Sequence, residues 1–178
     1  MSQEQKLQTA KVLAKLIHSG QKYGDGEQPY TYHLEGVVNT LIEYGITNIE
    51  ILCAAWLHDS IEDNSYITKE FIEYIFGYPV SDIVWAVSDE EGKNRKERKR
   101  NTFKKINETG YAVHVKLVDR ICNVKQCISD DNFAFYKMYK KEYAEFRDKL
   151  WVNVVFGSNL DKMWNDLDKL MKWEKEWE

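Results

Sequence analysis

The sequence is poor in the residues that interrupt helices and in those that cross-link chains. Only two of its 178 residues are proline, Pro29 and Pro79, and only three are cysteine. Proline removes a backbone donor and clashes with the preceding turn, so its scarcity leaves long stretches free to be helical. Cys53, Cys122 and Cys127 are odd in number, lie in apolar helical patterns and show no paired spacing. That argues for buried free thiols over a disulfide or a thiolate zinc site. No run of about 18 apolar residues is present, which excludes a membrane-spanning helix of the usual kind. The opening MSQEQKLQTAKVLAKLIHSG lacks the apolar block of a secretory signal, so a cytoplasmic protein is expected. A hinge rich in Pro, Gly or Ser is also missing, and residues 1–178 read as one domain. A net charge of −4, from 25 Lys and Arg against 29 Asp and Glu, argues against a surface given over to nucleic acid.

What is present is helical periodicity. Apolar residues recur at three and four along almost every segment between glycine-containing breaks, so the fold class is all-α, a bundle of about eight or nine helices. The pattern predicts helices over 3–18, 31–44, 48–60, a short one from Thr68 to Gly77, another from near Ser81 after a turn holding Pro79, and then 95–108, 112–129, 132–148 and 158–175. Thr47 with Glu50 reads as a capping box opening the third. Residues 150–178 read as a helical extension whose Trp151, Trp164, Trp173 and Trp177 could close the fold or meet a second copy, core packing being the default.

The third predicted helix carries the densest chemistry. Ile49, Leu52, Cys53 and Trp56 make an apolar stripe, and the chain then turns without a polar break to His58-Asp59-Ser60-Ile61-Glu62-Asp63. If the helix continues, His58 faces Glu62 and Asp59 faces Asp63, all within an arc of about 140° at ~100° per residue. Three carboxylates so close repel one another unless a cation compensates them. Asp119 and Asn123 share one face of an apolar helix, and His33 opens another after Tyr30-Thr31-Tyr32.

Together these residues resemble the HD superfamily of metal-dependent phosphohydrolases, and within it the small alarmone hydrolases related to the hydrolase domain of RelA/SpoT proteins. The likeness is carried by His18-x-Gly20-Gln21 with Gly26-Glu27, by Pro29-Tyr30-x-x-His33, by Leu57-His58-Asp59-x-x-Glu62-Asp63 and by Lys116-Leu117-x-Asp119-Arg120-x-x-Asn123. It extends from about residue 5 to residue 147, taking in Phe76-Gly77 and the run around Glu97-Arg98-Lys99-Arg100. The HD dipeptide alone is unspecific, whereas the ordered set is specific.

The resemblance implies one divalent metal held by His33, His58, Asp59 and Asp119, with Mn²⁺ favoured; the mixed imidazole and carboxylate set suits manganese, iron or zinc. It makes Glu62 and Asp63 the catalytic pair and implies removal of the 3′-pyrophosphate from (p)ppGpp or a (p)ppApp-like alarmone. Arg95 and Lys99, four apart in the basic run, are expected to hold polyphosphate, Lys22 and Tyr23 to meet the base, and Asn123 and Tyr143 to line the substrate site. Relatives commonly carry an Arg-Lys pair shortly after the Gly-Gln. Here Gly20-Gln21-Lys22-Tyr23-Gly24-Asp25-Gly26 stands instead, one residue longer, which leaves guanine against adenine open. No synthetase domain is expected after residue 150. The expected partner is a small nucleotide, with no membrane and no nucleic acid, and a homo-oligomer left open. Two alternatives stand beside this reading: a nucleotide phosphomonoesterase or phosphodiesterase, and a nucleotide-binding module without turnover, which would have no need of Glu62 and Asp63.

Overall fold

Serine, threonine and asparagine at the segment starts turn the periodic pattern into discrete helices. The computed structural model describes residues 1–24, 26–152 and 154–174. Its helices are α1 (Gln3–Ile17), α2 (Thr31–Glu43), α3 (Ile49–Leu57), the four-residue α4 (Ser60–Asp63), α5 (Lys69–Phe76), α6 (Tyr78–Val87), α7 (Arg95–Glu108), α8 (Ala112–Ser129), α9 (Phe133–Leu150) and α10 (Asn159–Met171). Among the described residues there is no strand, only an isolated antiparallel bridge between Lys22 and Pro29. No helix is long and apolar enough to cross a membrane. Ser2, Asn48, Thr68, Asn94, Asn132 and Ser158 each accept a backbone N–H from the first turn of the helix they open, and losing such a cap costs about 1 kcal/mol.

Several boundaries differ from the periodicity. Asn48, not Thr47, caps α3 and accepts from Glu50 and Ile51. Pro79 does not precede a helix but sits in the first turn of α6, where a missing N–H costs nothing. Trp177 lies outside the described residues. The third helix does not run on to residue 60: α3 stops at Leu57, Asp59 takes φ −97° and ψ 0°, and α4 starts afresh at Ser60. The Ala55 carbonyl at this break is taken by the His58 ring, whose Nδ1 donates to it at 2.8 Å.

The helix α3 is apolar for a reason of position. Seven of the nine residues of α3 are buried, so it is apolar all round, as a helix enclosed by others must be. α8 is the hub, packed against α2, α3, α6, α7, α9 and α10. Its Val115, Leu117, Val118, Ile121 and Val124 meet Leu34, Val37 and Leu41 of α2 in one core. α10 closes the far side of α8 with Met163, Trp164 and Leu167 fully buried, while Tyr44 of the α2 end donates to Asp166 at 2.9 Å.

Candidate metal centre and active site

The break after α3 turns His58 and Asp59 toward residues from α2 and α8. His33 stands in the first turn of α2 and Asp119 in the middle of α8. The Nε2 atoms of His33 and His58 are 3.3 Å apart, and Asp119 Oδ1 lies 3.3 Å from the first and 3.7 Å from the second. Asp59 Oδ2 joins them at 2.9 Å from His58 Nε2 and 3.9 Å from His33 Nε2. One donor atom each from His33, His58 and Asp119 falls within 4.8 Å of the others, and all three residues are buried. Neighbouring donors around an ion with bonds of about 2.1 Å stand about 3 Å apart, so the two imidazoles and Asp119 stand close enough together to hold a divalent cation, with Asp59 beside His58. Because a carbonyl only accepts, His58 Nδ1 carries a hydrogen, and Nε2 is the ring nitrogen that faces the cluster.

The electrostatics point the same way. Burial would push the His58 imidazole down, but the carboxylates of Asp59 and Asp119 outweigh it and hold its pKa well above the usual histidine range. Burial would likewise lift the two acids. The facing imidazoles, with Lys116 beside Asp119, hold both below the ordinary carboxylate range. The acids thus demand positive charge at this point, and a metal would compete with the imidazole proton for it.

Glu62 and Asp63 follow in α4. Glu62 is exposed at the surface, and its Oε1 accepts the Asp89 N–H at 2.7 Å. Burial by the surrounding chain, aided by the Asp59 and Asp89 carboxylates and opposed by Lys116, lifts its pKa above the usual value. Asp63 Oδ2 accepts from Gln21 Nε2 at 2.8 Å and lies 3.5 Å from His18 Nδ1. The Asp63 N–H still donates to the Asp59 carbonyl at 3.0 Å, and the two acidic side chains are held in place by Gln21 and Asp89.

The residues expected to meet substrate are distributed unevenly. Asn123 does share a face with Asp119 and donates to its Oδ1 at 2.5 Å. Tyr23 stacks on the His33 ring with centroids 4.7 Å apart and its hydroxyl donates to Asn123 Oδ1 at 2.8 Å. Lys22 is turned into its own loop, donating to the Glu27 carbonyl. Arg95 is paired with Glu142 at 2.6 Å and Lys99 with Asp89 at 2.8 Å, so both cations are already met by acids of the chain. They border a cavity of about 340 Å³ together with Lys96, Arg120 and Lys141. Tyr143 is not turned to the cluster: its hydroxyl donates to Asp168 of α10, which also pairs with Arg147. Nor does Arg120 neutralise Asp119, since its guanidinium lies between the Tyr139 and Phe146 rings and 3.6 Å from Glu142.

Four residues at the site had no assigned role. Tyr30 donates to Asp59 Oδ2 at 2.6 Å, Gln21 holds Asp63, and the buried Lys116 reaches the Val87 carbonyl at 3.2 Å and Asp119 Oδ2 at 3.6 Å. All three stand in the motifs quoted above, which was the available signal. Asp89, which links Glu62 to Lys99, carried none.

This is the architecture of an HD domain: a family model of that description matches residues 10–151, and the chain belongs to the family. Among curated proteins it is similar to guanosine-3′,5′-bis(diphosphate) 3′-pyrophosphohydrolase MESH1 of Danio rerio, 36% identical over 145 residues that cover 80% of this chain and 79% of the relative. MESH1 of Xenopus tropicalis is 32% identical over 157 residues, covering 84% and 87%. The guanosine-3′,5′-bis(diphosphate) 3′-pyrophosphohydrolase of Vibrio cholerae is 34% identical over 126 residues, 67% of this chain and 17% of that longer protein. A solved metazoan ortholog of SpoT, described as hydrolysing ppGpp, superposes with a TM-score of 0.73 at 27% identity and 93% coverage of both chains.

Proposed function

We propose that the chain is a metal-dependent phosphohydrolase that removes the 3′-pyrophosphate of guanosine-3′,5′-bis(diphosphate) or a closely related purine alarmone. The observation that carries the reading is the buried convergence of His33, His58 and Asp119, with Asp59 against both imidazoles and Glu62 and Asp63 on the next helical turn. The relatives named for this activity, covering about four fifths of the chain, support the substrate. His33, His58, Asp59 and Asp119 would hold the ion, and Mn²⁺ suits their mixed donor set.

When bound, the cation supplies Lewis-acid polarisation of the phosphate and acidifies water at the site. Glu62 acts as general base: its pKa is lifted above the usual carboxylate value, and the Asp89 N–H engages one oxygen. Asp63, tethered by Gln21, orients the attacking water. The nucleoside lies in the cleft of about 910 Å³ bordered by Tyr23, Tyr32, Asn123 and Tyr139. Among the described residues no lysine or arginine lines it, and Asp130 and Asp131 do, which suits a base and sugar better than phosphates. Arg95 holds phosphate by exchanging Glu142 for the ligand, while Lys99 stays on Asp89 and fixes the N–H that Glu62 accepts.

The test is to incubate the Mn²⁺-loaded protein with guanosine and adenosine alarmones and with ordinary nucleotide esters, separating products by chromatography. The expected result is GDP and pyrophosphate from ppGpp. Orthophosphate released from simple monoesters alone would make it a phosphomonoesterase, and binding without turnover would make it a binding module.

A further inference from the structure

The loop between α1 and α2 closes on itself before it reaches His33. Tyr23 N–H donates to the Gln28 carbonyl and Tyr30 N–H to the Gln21 carbonyl, each at 2.9 Å, so Lys22 and Pro29 pair across a small antiparallel bridge. The two phenols that flank the bridge stand edge to face, ring centroids 6.0 Å apart. Tyr30 donates directly to Asp59. Tyr23 approaches the cluster by two routes, one through its ring and one through its hydroxyl.

The hydroxyl route fixes the sense of an amide. Asn123 can face Asp119 with its NH₂, which attracts a carboxylate, or with its carbonyl oxygen, which repels one. A donor on Asn123 Oδ1 allows only the first arrangement, and Tyr23 supplies that donor at 2.8 Å while Asn123 Nδ2 reaches Asp119 Oδ1 at 2.5 Å.

The ring route concerns His33. A metal-ligating histidine is ordinarily oriented by a hydrogen bond from its outer nitrogen. His58 has one, to Ala55. His33 Nδ1 is buried with no hydrogen-bond partner among the described residues, and the flat contact with its ring comes from Tyr23, at an interplanar angle of 18°.

We propose that Tyr23 is a positioning residue of the metal centre, orienting Asp119 through Asn123 and His33 through ring stacking, rather than only a surface on which a base rests. The assignment depends on the metal-centre reading above, so its test reads metal affinity and not turnover. Mn²⁺ is titrated calorimetrically into metal-stripped protein, with His58→Ala as the control that loses the centre. Tyr23→Phe keeps the ring and loses the hydroxyl, and is expected to raise the Mn²⁺ Kd about 10-fold, the scale of lost outer-shell support. Tyr23→Ala loses both routes and should raise it about 100-fold. The double variant Tyr23→Phe/Asn123→Ala should bind no more weakly than Asn123→Ala alone, because the hydroxyl acts through that amide. The metal-free Tm of Tyr23→Phe should match wild type, separating positioning from a loss of stability. An Mn²⁺ Kd for Tyr23→Phe within about twofold of wild type, or losses that add in the double variant, would overturn the assignment. So would an unchanged Kd for Tyr23→Ala with an altered guanine-to-adenine ratio of kcat/KM. Equal Mn²⁺ binding by wild type and His58→Ala is a different result, and overturns the metal-centre reading together with this one.

Discussion

The metal cluster and the basic face of α7 are both dense in charge, and they are built in opposite ways. In the cluster, residues from three parts of the chain are driven together inside the protein, with His33, His58 and Asp119 at 3%, 1% and 8% exposure. On α7 the cations come from one contiguous run and are met by acids from elsewhere: Arg95 by Glu142, Arg100 by Glu145 and Lys99 by Asp89. Charge that the core forces together has to be compensated by another ligand, whereas charge laid along a surface helix is compensated by whatever packs beside it. A dense run of charge therefore marks chemistry where it interrupts a buried stripe, as at His58-Asp59, more than where it lies along an amphipathic face.

The largest effect should come from removing a member of the cluster. His58→Ala is expected to reduce bound metal to background by elemental analysis and to abolish hydrolysis, with the same direction for His33→Ala, Asp59→Ala and Asp119→Ala. In wild type, a metal present at about 100 times its Kd adds about 2.7 kcal/mol. Chelation should then lower Tm by roughly 5–10 °C. In His58→Ala chelation should do nothing; full occupancy and turnover in that variant would break the comparison at its stronger end.

Glu62→Gln comes next. Metal should be retained while kcat falls by roughly 10²-fold or more. The raised pKa adds a test by pH. An acid that binds its proton more tightly in the folded state favours the fold below its unfolded pKa, and that contribution is lost as pH rises through the folded pKa. Metal-free Glu62→Gln should thus melt with metal-free wild type near about pH 4 and slightly above it near about pH 7. The reverse order would remove the raised Glu62 pKa from the mechanism.

Lys99→Ala sharpens the boundary between the two regions, because Lys99 belongs to α7 yet is mostly buried against Asp89, whose N–H holds Glu62. Leaving Asp89 without its partner should cost about 2–3 kcal/mol in denaturant melts and reduce kcat. A rise in KM alone, equal for guanine and adenine substrates, would instead make Lys99 a phosphate ligand. The smallest effect is expected at Arg100, where an exposed pair with Glu145 is worth at most about 1 kcal/mol. Arg95→Ala should raise KM for every pyrophosphorylated nucleotide alike, with a loss that shrinks at high salt.

Helix existence was legible because burying a stripe imposes its period on the residues; His58 and Asp59 stood out because they break such a stripe, whereas His33 and Asp119 were joined to them only by the resemblance to the HD superfamily. Other features depend on partners that the local pattern does not encode. The stop at Leu57 comes from the His58 ring taking the Ala55 carbonyl. The burden on Glu142 depends on α7 packing against α9. Tyr143, in a pattern that suited either a substrate contact or core packing, is decided by Asp168 on a helix 25 positions along.

The interruption between α3 and α4 also bears on how such a site could be copied. On a straight helix, successive side chains point about 100° apart, so a designer who grafts the His-Asp pair onto an idealised bundle would aim one of the two away from the intended ion. What must be transplanted is the helix end itself: the Ala55 carbonyl taken by the histidine ring, and the Asp59 backbone at φ −97° and ψ 0° that sets its carboxylate 2.9 Å from the imidazole.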